Sequence, residues 1–179
     1  MASRFFLTLI LIIFFTAAAA AQSEVEIGPQ LGFYRAQDAD HGRGMGGIAM
    51  RFRFSDLFGI EGSVNYREEM YANGAVDVKS WPFMATALLY PIPVVYGGIG
   101  AGWYNSSIDY NFTPVTVTET KQEFGWHFGG GVELPLGSVT KFVGDIRYVF
   151  LNYKFKSFPG LNGMNSDFYA VSAGLLFSI

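Results

Sequence analysis

No cysteine occurs in the 179 residues, so a disulfide framework, a zinc–thiolate centre and a lipidated cysteine anchor are all excluded. Charge is sparse as well: Asp, Glu, Lys and Arg make up 15% of the chain, with a formal net charge of -3. Nothing in it forms the basic field that nucleic acid requires. Past Ala21 no apolar run approaches the ~20 residues that a membrane-spanning helix needs. If the rest of the chain enters a membrane, it must do so as strands closed on one another, because lipid offers no partner to a free backbone N–H or C=O.

What the chain has instead is 22 glycines and an aromatic content of 17%. Met1 to Ala21 reads as a signal peptide: Arg4 is the positive start, Phe5 to Thr16 the apolar core and Ala17 to Ala21 the small-residue cleavage region. A cut after Ala21 leaves residues 22–179 as one domain, and losing Arg4 takes the charge of -3 to -4. A helical anchor is the alternative for this segment, but its apolar stretch is short for one.

The last stretch organises the rest. In steps of two, Tyr169, Val171, Ala173, Leu175, Phe177 and Ile179 form one apolar face, with Ala170, Ser172, Gly174 and Ser178 on the other. That is the period of a strand, and one so apolar needs a neighbour on both sides. Ser172, Gly174, Phe177 and Ile179 resemble the carboxy-terminal signature of bacterial outer-membrane β-barrels: a polar residue, a glycine two on, an aromatic three further and a terminal aromatic or apolar residue. Ile179 departs from the Phe that usually ends the signature. With seven more strands of the same kind upstream, the whole stretch 22–179 resembles the small OmpA/OmpX-type barrels.

Those strands are expected at 24–34, 45–54, 58–67, 76–90, 94–105, 123–134, 141–151 and 168–179. Short turns fall at 55–57, 91–93 and 135–140, and loops at 35–44, 68–75, 106–122 and 152–167. Thr113 to Thr120 could prolong the hairpin of the longest loop. Pro29 cannot donate to a ladder, which predicts a bulge or a missing bond in the first strand. The Gly97 to Gly102 run is not a nucleotide-binding fingerprint, because Ser106-Ser107-Ile108-Asp109 follows where a helix would have to start. Its inward glycines instead make room for large side chains in a narrow barrel.

The charges decide which face looks outward. Arg51, Arg53, Glu61, Glu133, Asp145 and Arg147 all lie mid-strand on one face, too many to bury in an apolar core. Arg51 is expected directly across from Glu61. Phe33, Tyr66, Trp81, Trp103, Trp126, Tyr148 and Tyr169 project from the opposite face near the loop ends, and Phe54, Phe142 and Phe177 near the turns. Two aromatic belts suit a bilayer's two interfaces. The expected fold is therefore all-β: an eight-stranded antiparallel up-and-down transmembrane β-barrel.

Eight strands enclose only enough room for side chains, so the six charges are expected to pair as a plug. A narrow porin-like channel lined by the same charges is the alternative. An enzyme acting on lipid A is a third reading, but His127 lacks the serine two residues later that the deacylase-like pattern requires. His41 beside Asp38 and Asp40 sits in a glycine-flanked loop. No catalytic residue, metal site or cofactor is assigned. The resemblance implies location in the bacterial outer membrane, contact with its lipids and lipopolysaccharide, and recognition of the C-terminal strand by the barrel-assembly machinery. It also makes the loops candidates for host or envelope ligands. The chain is expected to end with the barrel and to carry no appended periplasmic domain.

Overall fold

A computed structural model describes residues 24–37, 41–71, 76–112, 115–151 and 167–179. The segment 1–21, read above as a signal peptide, and Asp38 and Asp40, expected in a loop, lie outside the described residues. Eight strands run in order: β1 Glu24–Ala36, β2 Arg43–Arg53, β3 Phe58–Tyr71, β4 Val76–Ile92, β5 Val95–Phe112, β6 Val115–Pro135, β7 Thr140–Phe150 and β8 Phe168–Ser178. Each pairs antiparallel with its sequence neighbours, and β1 pairs with β8, which closes the barrel.

Alternation places the side chains as the period demands. On β4, Trp81, Phe83, Ala85, Ala87 and Leu89 are exposed while Pro82, Thr86, Leu88 and Tyr90 are buried. Arg51 stands opposite Glu61, as the three-residue turn after β2 requires. Pro29 breaks the β1–β8 ladder without a bulge: pairing runs from Ile27–Phe177 to Gln30–Gly174 in one register, with no bridge at Gly28 or Pro29. Gly28 fills the resulting close approach, since a Cβ there would sit 1.7 Å from the Leu175 carbonyl oxygen.

Several boundaries differ from the sequence reading: β1, β2 and β3 each reach into the expected loops, to Ala36, Arg43 and Tyr71, and the larger changes fall at β4, β5 and β6. Most of 106–122 is strand, and β5 pairs with β6 rung by rung to Phe112–Val115. At the other end Pro91 and Ile92 belong to β4, with a register shift between Leu89 and Ile92. The β5–β6 extension was hard to see because its polarity changes. Beyond Trp81, Trp103 and Phe124 the outward positions become Lys79 and Asp77, Asn105 and Asp109, and Gln122 and Thr120, while Val78 and Ser106 are buried. Outward apolar segments such as Trp81–Leu89, Val95–Trp103 and Phe124–Leu134 match the ~9–11 residues with which a tilted strand crosses a bilayer. Above them the strands continue into water.

Candidate functional site

The lumen has two storeys. On the turn side, Arg51 donates from Nε to Glu61 (2.7 Å), from Nη1 to Glu133 (3.0 Å) and from Nη2 to the Tyr96 hydroxyl (2.7 Å). Arg147 donates from Nε to Asp145 (2.7 Å) and from Nη2 to the far side of Glu61 (2.7 Å). Tyr96 passes the link on, its hydroxyl donating to Asp145 at 2.7 Å. Arg53 reaches Glu133 at 3.1 Å and lies 3.8 Å from the centre of the Tyr90 ring. All six charged residues singled out from the sequence thus meet in one lattice, joined at its rim by Lys141, which contacts Glu24, Glu26 and Glu133 at 2.8, 2.7 and 3.1 Å.

Tyr90, Tyr96, Glu26 and Lys141 were not among those six. Their strand parity put them on the polar face, and that was the available signal; what parity cannot supply is how far a side chain reaches across the cylinder. The lattice fits because the rungs alternate large with absent side chains. Gly131 lies between Tyr96 and Asp145, and Gly129 beside Arg147. A Cβ at Gly131 would stand 2.6 Å from the Tyr96 hydroxyl, and one at Gly129 2.9 Å from Arg147 Cγ. The glycines make room for their cross-strand neighbours, and those neighbours span the lumen.

On the loop side the filling turns apolar. Tyr34, Val78, Tyr104, Val149, Leu151 and Phe168 form one buried cluster. Arg67 lies under it, its guanidinium 4.0 Å from the Phe168 ring centre and 5.4 Å from those of Tyr34 and Tyr104. Aromatic faces are a suitable seat for a desolvated guanidinium. The Tyr34 hydroxyl donates to the Glu68 carbonyl, tying β1 to β3 across the mouth.

His127 is buried in the wall with Nε2 2.8 Å from the Thr86 hydroxyl. A hydroxyl and an imidazole at that distance are two parts of a nucleophilic site. The third part is a carboxylate on Nδ1, and Nδ1 has no hydrogen-bond partner. His41 is exposed. Among the described residues no group of three His, Asp or Glu side chains is placed to hold a metal ion.

Outside, Phe33, Tyr66, Trp81, Trp103, Trp126 and Tyr169 are all exposed, and Tyr148 is half-buried among its neighbours. Tyr66 packs on Trp81 at 5.4 Å, Phe124 on Trp103 and Trp126 at 5.6 and 5.2 Å, and Tyr148 on Phe150 at 5.0 Å. In the closing strand Phe177 and Ile179 point outward, while Ser172 and Gly174 line the lumen side. The Ile179 N–H still donates to Val25 at 3.0 Å.

Solved structures share this architecture. Neisserial surface protein A is 14% identical, with a TM-score of 0.57 over 88% of this chain and 97% of that one. A major outer membrane protein of Thermus thermophilus is 13% identical, with a TM-score of 0.63 over 88% and 99%. The attachment invasion locus protein Ail of Yersinia pestis, in complex with the heparin analogue sucrose octasulfate, is 16% identical, with a TM-score of 0.51 over 88% and 97%. At these identities the likeness is one of fold. No curated protein sequence matches the chain. The family description of the outer membrane protein beta-barrel domain matches residues 7–177, nearly the whole sequence, and the chain belongs to that family of bacterial outer-membrane barrels.

Proposed function

We propose that the protein is a sealed structural barrel of the outer membrane, which displays loops at the cell surface and does not conduct. The observation that carries this reading is the pairing of the two storeys. An ion-pair lattice fills the turn side, an aromatic stopper fills the loop side, and two lumen voids lined by described residues, one between the storeys and one beside the lattice, are only about 20 Å³ and about 10 Å³. Each void has room for roughly one water molecule. A hydrated ion would have to displace both the lattice and the stopper. Planar-bilayer recording tests it: the expected trace is flat, and steady openings whose size scales with salt would overturn the plug.

The outer aromatics serve in this reading as interface anchors toward outer-membrane lipid and lipopolysaccharide. The signature Ser172, Gly174, Phe177 and Ile179 is the contact offered to the assembly machinery. In the closed barrel β8 is hydrogen-bonded to β7 and β1 along its length, so that recognition belongs to the stage before closure. In this reading the protein acts without catalysis: His127 is a lumen hydrogen-bonder with Arg147 nearby and no carboxylate on its Nδ1.

Surface contacts are expected at the β3–β5 wall above the belt. Asp77 stands opposite Asp109 there, with Glu68 close by and Lys79 held by Asp109 at 3.2 Å. Ail takes a sulfated sugar. The acidic wall of the present chain favours a cationic or hydrogen-bonding ligand instead. Binding of purified barrel to a sulfated-sugar resin, compared with a polyamine resin, distinguishes the two.

A further inference from the structure

Gly62 is a glycine that the barrel itself does not need. It lies on the outward wall in the middle of β3, and a Cβ there would meet nothing within 4 Å. The lumen glycine Gly100, by contrast, would drive a Cβ to 2.5 Å from His127 Nε2. No left-handed backbone calls for glycine at position 62, and in a strand interior an absent side chain weakens the sheet. The space has a use only on the outside.

That space is the floor of a trough. Along one rung stand Met50, Gly62, Ala85, Ala101 and Trp126. The rung toward the loops carries Ile48, Val64, Phe83 and Trp103, and the rung toward the turns Phe52, Ile60, Ala87 and Ile99. Small residues at the centre, with Ala87 the one small residue in rims otherwise large, make two hollows, of about 480 Å³ and about 580 Å³, that meet at Gly62 and Ala85. At 4.7–4.9 Å per strand the floor from Met50 to Trp126 is roughly 19 Å long. Inclined with the strand tilt, it stays within the ~15 Å that one leaflet contributes to a ~30 Å hydrocarbon core.

We propose that this trough is a binding site for one acyl chain of an outer-membrane lipid, held in preference to the chains packed around the rest of the wall. The trough is continuous with the lipid-facing surface of an outer-membrane barrel, so its occupant is drawn from that surface. A second copy of the chain fits it less well. Trp103 and Trp126 flank the floor at 54% and 63% exposure, so two walls laid together would meet on the indoles and leave the floor empty. A flexible chain passes between them.

The test reads tryptophan fluorescence of the barrel in micelles of a short-chain detergent, titrated with a chain-brominated phosphatidylcholine that quenches and competes with the detergent for the trough. One protein keeps only Trp103 (Trp81→Phe, Trp126→Phe) and another only Trp81, which packs on Tyr66 away from the trough. Half-quenching of Trp103 is expected at an about threefold lower mole fraction of brominated lipid than for Trp81, equivalent to ~0.65 kcal/mol of preference. Filling the floor with Gly62→Leu and Ala85→Leu brings the Trp103 curve onto that of Trp81. Heat-modifiable gel mobility verifies that the filled barrel is folded, and Ala101→Leu serves if it is not. Superimposable curves in the unfilled protein overturn the site, as does a filled protein that behaves like the unfilled one. So does cross-linking of Ala101→Cys into dimers in vesicles together with poor quenching of Trp103, since the occupant is then another copy.

Discussion

Arg147 is the side chain on which most of the lumen converges, because it bridges Asp145 on its own strand to Glu61 on β3. Arg147→Met leaves both carboxylates short of a cation in a site closed to water. Breaking one side of a buried pair typically destabilises by ~3–5 kcal/mol, and urea titration of the refolded barrel in vesicles should show a loss of that order. Adding Glu61→Gln to the same protein should recover part of it, which identifies the loss as an unpaired charge and not as lost volume. Gly28→Ala presses a methyl group into the Leu175 carbonyl at the β1–β8 seam, and the folded, fast-migrating gel band should disappear. At this scale the sequence was informative about parity and silent about reach. The six charges share a face by counting in twos, but the Tyr96 hydroxyl coupling Arg51 to Asp145 depends on the geometry of a closed cylinder.

For the single strand, the deciding quantity is where its outward face stops being greasy. Ile99, 70% exposed on β5, lies in the hydrocarbon band, and Asn105 six residues on lies beyond the Trp103 belt. Ile99→Arg should therefore destabilise the barrel by ~2–4 kcal/mol and Asn105→Arg by only ~0–1 kcal/mol, measured as above. Above the belt Asp77 titrates in water. Burial, and after it the neighbouring Glu68 carboxylate, push its carboxyl above the ordinary aspartate range. A carboxyl raised in this way opposes folding while ionised, and the opposition fades as pH falls through the raised value. Lowering pH from about 7 to about 4 should thus slow amide exchange at Val78 and Lys79, after correction for intrinsic rates, and Asp77→Asn should remove the change. The same reversal of polarity explains why β5 and β6 look shorter in the sequence than they are. The alternation continues past Asn105 with a polar outward face, and a search for outward apolar residues ends at Trp103.

Taken whole, the molecule holds its ion pairs where salt cannot reach them, since Arg51 and Glu61 have 3% and 1% of their side chains exposed. Its unfolding midpoint should barely move between low and high sodium chloride, whereas a lattice open to solvent would weaken as the Debye length falls from ~30 Å at about 0.01 M to ~3 Å at about 1 M. Closure, strand number and sidedness were all legible from period and charge placement. The chain's inclination was not. β6 passes its last β7 partner at Trp126 and continues to Val115, roughly 36 Å further along the strand, while β7, β8 and β2 stop near the membrane. The cylinder is thus cut on a slant, like a quill. Among the described residues β3 and β4 climb beside that ribbon, Val76 still pairing with Tyr110, and an antibody or phage able to grip this raised wall would never have to touch the bilayer.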